Sequence, residues 1–203
     1  LVRAIYGADL KDKGEIKISG DKVEIKSPRD SIENGIGLLP EDRKQQGLVL
    51  EQPVKSNITL ARLEELIDNY LINQNKEEKK VNKYVDDLNI KTPSIETLAI
   101  SLSGGNQQKV VLAKWLFTDS NILIFDEPTR GIDVGAKFEI YLLMNKLTEL
   151  GKSIIMISSD MPEIIGMSDR VLVIHQGEIT GEFDKEELTQ EKIMQSAAGE
   201  VKN

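Results

Sequence analysis

The sequence predicts an α/β fold with a mainly parallel sheet, an antiparallel β edge and an inserted helical region. Three observations carry this. The runs 122–125 and 154–157 are apolar almost throughout, as parallel strands covered on both faces should be. Long stretches with apolar residues at helical spacing separate them, so helix and strand alternate through the second half of the chain. Shorter segments near both ends turn through Gly20-Asp21 and Gln176-Gly177, the pattern of antiparallel hairpins.

Taken in order, Leu1-Val2-Arg3-Ala4-Ile5-Tyr6-Gly7 reads as the tail of a helix closed by a glycine cap. A natural chain rarely begins inside a helix, and position 1 is Leu, so the sequence is expected to be a fragment of a longer protein. Residues 14–19 and 22–26 alternate apolar and polar, a hairpin with one wet face. Residues 31–34 suggest a short helix, and 36–39 a buried strand stopped by Pro40. From about Pro53 the character becomes helical: Ile58, Leu60, Leu63, Leu66, Ile67, Tyr70 and Leu71 recur at helical spacing. Val81, Tyr84, Val85 and Leu88 do the same after the charged run 76–80, which is expected to be a solvated helix face. Val110, Val111, Leu112, Trp115 and Leu116 continue a helix into strand 122–125. A helix over 134–150 closes at Gly151, a strand follows at 153–157, and 171–174 turns into 178–183. No internal repeat or low-complexity stretch interrupts this order.

A length of 203 residues suits one sizeable domain, or one with an inserted subdomain. Its 26 Lys plus Arg against 34 Asp plus Glu give a net charge of −8, which argues against a nucleic-acid binder. There are no cysteines, so neither a disulfide framework nor a thiolate metal site is open to it. No apolar run approaches the ~20 residues that span a bilayer, so membrane association must come through a partner.

Two motifs carry chemistry. Strand 122–125 delivers Asp126 and Glu127 to its C-terminal end, where open α/β sheets bind ligands. An Asp there can hold a magnesium ion bridging nucleotide phosphates, and the neighbouring carboxylate can orient or deprotonate an attacking water. Ser103-Gly104-Gly105 stands just before a helix, where glycines admit a ligand to the backbone and the helix N-terminus favours an anion. The bland alternative is an ordinary serine cap followed by two loop glycines.

The run Leu102-Ser103-Gly104-Gly105-Asn106-Gln107-Gln108-Lys109-Val110 resembles the signature motif of ABC-type ATPases, with Asn106 where most carry glutamine. Asp126-Glu127-Pro128-Thr129-Arg130-Gly131-Ile132-Asp133-Val134-Gly135-Ala136-Lys137 resembles a Walker B and D-loop. Leu39-Pro40-Glu41-Asp42-Arg43-Lys44 resembles a Q-loop region. Ser158-Ser159-Asp160-Met161-Pro162-Glu163 resembles a switch region, with Met167-Ser168-Asp169-Arg170 behind it. Over nearly the whole length, the chain is similar to the second nucleotide-binding half of the tandem ATPase subunit of bacterial monosaccharide ABC importers, the ribose/galactose/xylose group.

That resemblance implies a P-loop NTPase-like ABC ATPase core. Residues 1–52 and 118–203 would form the core with its β subdomain, and 53–117 a helical subdomain bearing the signature. It implies ATP and Mg2+ as ligands, with Asp126 and Glu41 toward the metal and Glu127 as the catalytic carboxylate. Ser103, Gly104 and Gly105, with Asn106 and Gln107 beside them, would complete a nucleotide site seated mainly on a partner half. Asp133 would lie at the interface between halves, and Ser159 at the switch position. The implied partners are the other half of the tandem subunit, the membrane permease contacted through the 53–98 region and, indirectly, an extracytoplasmic sugar-binding protein. No nucleic acid is implied, and the place of action would be the cytoplasmic face of the membrane, reached through the permease.

Two departures bear on rate. Glu41 replaces the Q-loop glutamine and adds charge beside the phosphates. Ser159 replaces the switch histidine, and a hydroxyl cannot supply an imidazole's proton exchange near neutral pH. They lend weight to a non-catalytic, regulatory half-domain as an alternative, whereas Glu127 favours turnover. An ABC ATPase of translation or DNA repair is the other alternative, disfavoured by the 39–44 and 158–163 runs and by the acidic charge.

A phosphate-binding Walker A loop needs a glycine five positions before Gly-Lys-Ser/Thr, between a strand and a helix. Gly151-Lys152-Ser153 has Lys146 at that position and lies between a helix and a strand, so it reads as a helix cap. The Walker A loop is expected immediately upstream of Leu1. The single histidine, His175, ends an apolar strand and reads as structural or exposed.

Overall fold

A computed structural model, which describes residues 1–199, opens with α1 (Val2–Ile5). Gly7 closes this turn at φ +73°, and a side chain there would strike Ser27 O at 2.6 Å. β1 (Ile16–Ile18) and β2 (Asp21–Val23) form the expected hairpin, with Ile18 opposite Asp21. Ser19 and Gly20, both at positive φ, make the turn, one residue earlier than the alternation implied. α2 (Pro28–Glu33) starts ahead of the expected 31–34 stretch, because Ser27 and Asp30 close a reciprocal capping box and Pro28 presets the first turn. β3 (Ile36–Leu39) follows, buried at every position.

After β3 the chain makes one π-helical turn, Arg43–Gly47, capped by the Asp42 carboxylate, which accepts from Lys44 N and Gln45 N. α3 (Val54–Thr59) then begins the helical region. Asn57 is buried there, and its side chain bonds both Val49 N (2.8 Å) and Val49 O (3.0 Å), fastening the preceding loop to the helix.

Regular helix does not continue to Leu71 as the apolar spacing predicts. A 3-10 stretch over Leu60–Leu66 breaks at Arg62 (φ −153°, ψ 55°), whose guanidinium reaches Thr118 O at 2.8 Å. β4 (Ile67–Asp68) and β5 (Leu71–Ile72) then pair around Asn69-Tyr70, both at positive φ. Ile67, Tyr70 and Leu71 are therefore exposed hairpin residues, Tyr70 at 99%. Over so short a run, apolar residues three and four apart do not separate a helix face from a tight turn. Helix resumes at α4 (Gln74–Asp87), capped by Asn73. In the charged run 76–80, Glu78 and Lys79 are exposed and Lys76 and Lys80 half-buried, while Glu77 is buried and accepts from the Thr59 hydroxyl at 2.8 Å.

α5 (Gly104–Phe117), β6 (Ile122–Asp126), α6 (Val134–Glu149) and β7 (Ser153–Ile157) complete the first of two compact units, Leu1–Ile157. The sheet runs β3–β6–β7, all parallel, with Leu39 opposite Phe125 and Asp126 opposite Ile157. Leu123, Ile124 and Phe125 of β6 are buried, as are Val110–Ala113 of α5 and Ile140, Met144 and Leu147 of α6, with α5 packed against β3 and α6 against β7. β7 is less covered than its apolar sequence predicts, Ile155 being 42% exposed. Among the described residues it is the last strand of this sheet.

The second unit begins at Ser158 and builds its own small core. α7 (Met161–Met167) precedes β8 (Arg170–His175) and β9 (Glu178–Asp184), an antiparallel pair turning at Gln176-Gly177, and α8 (Gln190–Ala197) follows. Val171, Val173 and Ile193 are buried there, with Met161, Ile164, Ile165, Phe183 and Leu188 around them. His175 is half-buried at the end of β8.

Candidate functional site

β6 ends at Asp126, and the chain turns at Glu127 with φ +49°, a conformation that side-chain-bearing residues rarely adopt. The turn is held from both sides: Glu127 N donates to Ile157 O at 2.9 Å, and Arg130 N donates to Glu127 O at 3.1 Å. Pro128 and Thr129 are buried beneath it. The Glu127 carboxylate is thus carried on a fixed, strained corner at the C-terminal edge of the sheet.

The Asp126 carboxyl is half-buried, and burial pushes its pKa above the usual carboxylate range. The charge of Glu127 pushes the same way, while Arg3 of α1 pulls against it. Two carboxylates crowded at a partly dry strand end suit a hard divalent cation, which relieves their repulsion. Among the described residues no cluster of three or more His, Cys, Asp and Glu completes a protein cage. Magnesium ordinarily takes one or two carboxylates and fills its shell with phosphates and water.

Ser103 occupies the N-cap position of α5, yet its hydroxyl makes no capping bond. Asn106 Nδ2 donates to Ser103 Oγ at 2.9 Å, and Asn106 Oδ1 accepts from Lys91 N at 2.8 Å. Gly104 and Gly105 are the first two residues of the helix, not loop residues. Both are closely approached: a Cβ at Gly104 would lie 2.6 Å from Arg43 Nη2, and one at Gly105 3.0 Å from Ala136 Cβ. The N-termini of α5 and α6 are thereby packed together, and the first amides of each helix lack partners within it.

Gln107, expected beside these residues as a nucleotide contact, points inward instead. It is 3% exposed, and its Nε2 donates to Ala99 O at 3.0 Å, bracing the turn ahead of the signature. One residue on from Asn106 is a rotation of about 100° around α5, enough to turn the side chain from the helix start into the core. Glu41 is engaged by the Arg130 guanidinium in an ion pair. Asp133 caps α6, its Oδ1 accepting from Ala136 N at 3.0 Å. Ser159 lies in the second unit and is exposed; beside it Ser158 donates to the buried Glu163 and accepts from Asp160 N at 3.0 Å.

Three residues of these networks carried no role in the sequence reading: Arg43, Arg130 and Glu163. Arg43 and Arg130 meet across 87 positions, Arg43 Nη1 donating to Arg130 O at 3.2 Å. No local spacing announces such a contact. Glu163 could have been suspected, as an acid set among apolar residues at helical spacing.

With its parallel sheet, acidic strand end and glycine-started helix, the chain has the fold of an ATP-binding cassette, and solved cassettes share it. The ADP conformation of a cassette of an ABC transporter superposes with a TM-score of 0.77 at 23% identity, over 98% of this chain and 82% of that one. A dimeric cassette in a post-hydrolysis state bound to ADP and Pi gives 0.73 at 19% identity, over 91% and 78%. At the level of sequence, residues 1–130 match the ABC transporter family, and the chain belongs to it. It is 56% identical to a xylose import ATP-binding protein of Thermoanaerobacter pseudethanolicus, over 98% of this chain and 40% of that protein. It is 52% identical to a ribose import ATP-binding protein of Clostridium tetani, over 97% and 39%, and 51% identical to that of Bacillus subtilis, over 98% and 40%. The chain thus spans about 40% of the length of these curated relatives.

Proposed function

We propose that this chain is the second nucleotide-binding half of a tandem ATPase subunit that powers import of a ribose-like monosaccharide. The observation that carries the reading is the pair Asp126 and Glu127 at the end of β6, the second on a strained corner pinned by Ile157 O and by Arg130 N. In this reading the half-site works on ATP held by a Walker A loop upstream of Leu1.

Each group has a part in the proposal. Asp126 would hold Mg2+, with Glu41 contributing through water once released from Arg130. When bound, the ion would neutralise phosphate charge. Glu127 orients the attacking water and accepts its proton. The Ser103 hydroxyl and the first amides of α5, at Gly104 and Gly105, donate to the γ-phosphate of a nucleotide on the facing half. Asn106 holds Ser103, and Gln107 supports the turn beneath. Asp133 fixes the start of α6 at the boundary between halves, and Ser159 offers a hydroxyl at the switch position. Residues 53–117 form the helical subdomain, and the remainder the core.

The partners in this proposal are the other half of the tandem subunit, a membrane permease and, through it, an extracytoplasmic sugar-binding protein. The relatives' names support a sugar importer. Among the described residues no helix is long and apolar enough to cross a membrane, so attachment to the cytoplasmic face would run through the permease.

Steady-state ATP hydrolysis by the full-length protein carrying Glu127→Gln tests the assignment. Turnover should fall by a factor of about 10² or more, in line with losing a general base. Unchanged turnover would show that this half only binds nucleotide.

A further inference from the structure

We propose that Arg43 is a positioning residue that ties the N-terminus of α5 to the loop carrying Glu127, so that the two move as one piece. The inference rests on the reading of the chain as an ATPase half and adds to it a residue outside the recognised motifs.

The base of the strut is fixed first. Arg43 opens the π-helical turn Arg43–Gly47. That turn is fastened to α5 at its far end: Lys114 Nζ donates to Gly47 O at 2.8 Å, and a Cβ on Gly47 would lie 3.0 Å from Val111 Cγ2. The turn therefore travels with α5.

The head of the strut reaches two places at once. The guanidinium lies over Gly104, close enough that any side chain there would collide with Nη2. From that position Nη1 donates to Arg130 O at 3.2 Å. Arg130 N in turn donates to Glu127 O, so only one residue's backbone separates the Arg43 contact from the strained corner. Arg43 Nε is buried without a partner, so the side chain gives up a hydrogen bond to hold this course. Arg130 also closes the set through its guanidinium, which pairs with Glu41.

The planar fork is what the geometry uses. A lysine carries its donors on one compact nitrogen without a planar fork, and cannot both cover Gly104 and bond Arg130 O. Because the helix start faces one nucleotide while Glu127 serves another, a loosened strut affects the chemical step more than binding. Misplacing a catalytic group by about 1 Å costs on the order of 10²-fold.

The test uses the full-length protein reconstituted with its permease, comparing Arg43→Gln and Arg43→Lys with the unsubstituted protein. Both variants should lose about tenfold in kcat while KM for ATP stays within about twofold and the melting temperature within a few degrees. Three outcomes would overturn the proposal: unchanged kcat, a raised KM with kcat retained, or full turnover restored by lysine. A fall in kcat that merely follows a fall in melting temperature counts against it equally. If the unsubstituted protein itself hydrolyses no ATP, the functional reading fails instead, and the two failures are told apart.

Discussion

Asn106 holds the Ser103 hydroxyl in place: its Nδ2 donates to Ser103 Oγ at 2.9 Å while its Oδ1 accepts from Lys91 N at 2.8 Å. A hydroxyl that accepts one bond keeps its own hydrogen to give. Ser103 is thus oriented as a donor at a helix start, and the loop containing Lys91 is tied to the signature through one side chain. Replacing Asn106 by Ala in the full-length protein should raise KM for ATP about fivefold, the worth of roughly one hydrogen bond. Asn106→Asp should be worse, because a carboxylate takes the Ser103 hydrogen and adds charge where phosphate must come. Equal effects of the two variants in steady-state ATPase assays would show that Asn106 only braces the loop.

Gly37 on β3 has no room for a methyl group. A Cβ there would lie 2.8 Å from both Cβ and Cγ of Trp115 and 3.2 Å from Leu123 Cδ2. Trp115 cannot withdraw easily, being buried and set edge-on against Tyr6 with ring centroids 5.8 Å apart. Gly37→Ala should therefore cost about 1–3 kcal/mol through overpacking. A thermal melt of the full-length protein should show a drop of several degrees, and an unshifted melt would mean that α5 and β3 separate without strain.

Lys114 makes stability depend on alkaline pH. Burial pushes its ammonium down to about 8 from the ordinary 10.5, though Nζ still donates to Gly47 O and lies 4.6 Å from the Trp115 ring centroid. Below pH 8 both folded and unfolded chains carry the proton, and the folded state bears the full cost of burying it. Between pH 8 and about 10 the folded chain releases the proton while the unfolded chain keeps it, so stability rises with pH. Above pH 10 the buried Tyr6, whose pKa burial raises, opposes the trend. Between pH 7.5 and 9.5 the protein should gain about 1–2 kcal/mol relative to Lys114→Met, measured by denaturant unfolding. Parallel curves for the two proteins would refute this.

Much of the first unit could be read along the chain. Ile122 to Phe125 reads as a buried strand because a strand covered on both faces has nowhere to place a polar residue, and the acidic pair after it marks the strand end. Gly151 was legible as a cap for the same local reason, its φ of +81° being costly for other residues. The 60–72 stretch was not legible, because its apolar spacing fits a helix, whereas Arg62 bonding to Thr118 O and the Asn69-Tyr70 turn divide it. The burial of Gln107 is not legible either: a motif says that residues occur together but not which side of the helix each one faces.

The order of residues alone settles the alternation of helix with buried parallel strand, the acid pair that ends β6 and the glycine start of α5. Each is a consequence of periodicity, burial or backbone freedom within a few neighbouring positions. Which polar groups meet across the chain is settled only by packing: Glu41 on Arg130, Arg43 over Gly104, Asn106 on Ser103 and Lys91, and Gln107 turned to Ala99. The physical reason is that a side chain's partner depends on where distant segments come to rest, and that is set by the close packing of α5 against β3, α6 and the Arg43 turn.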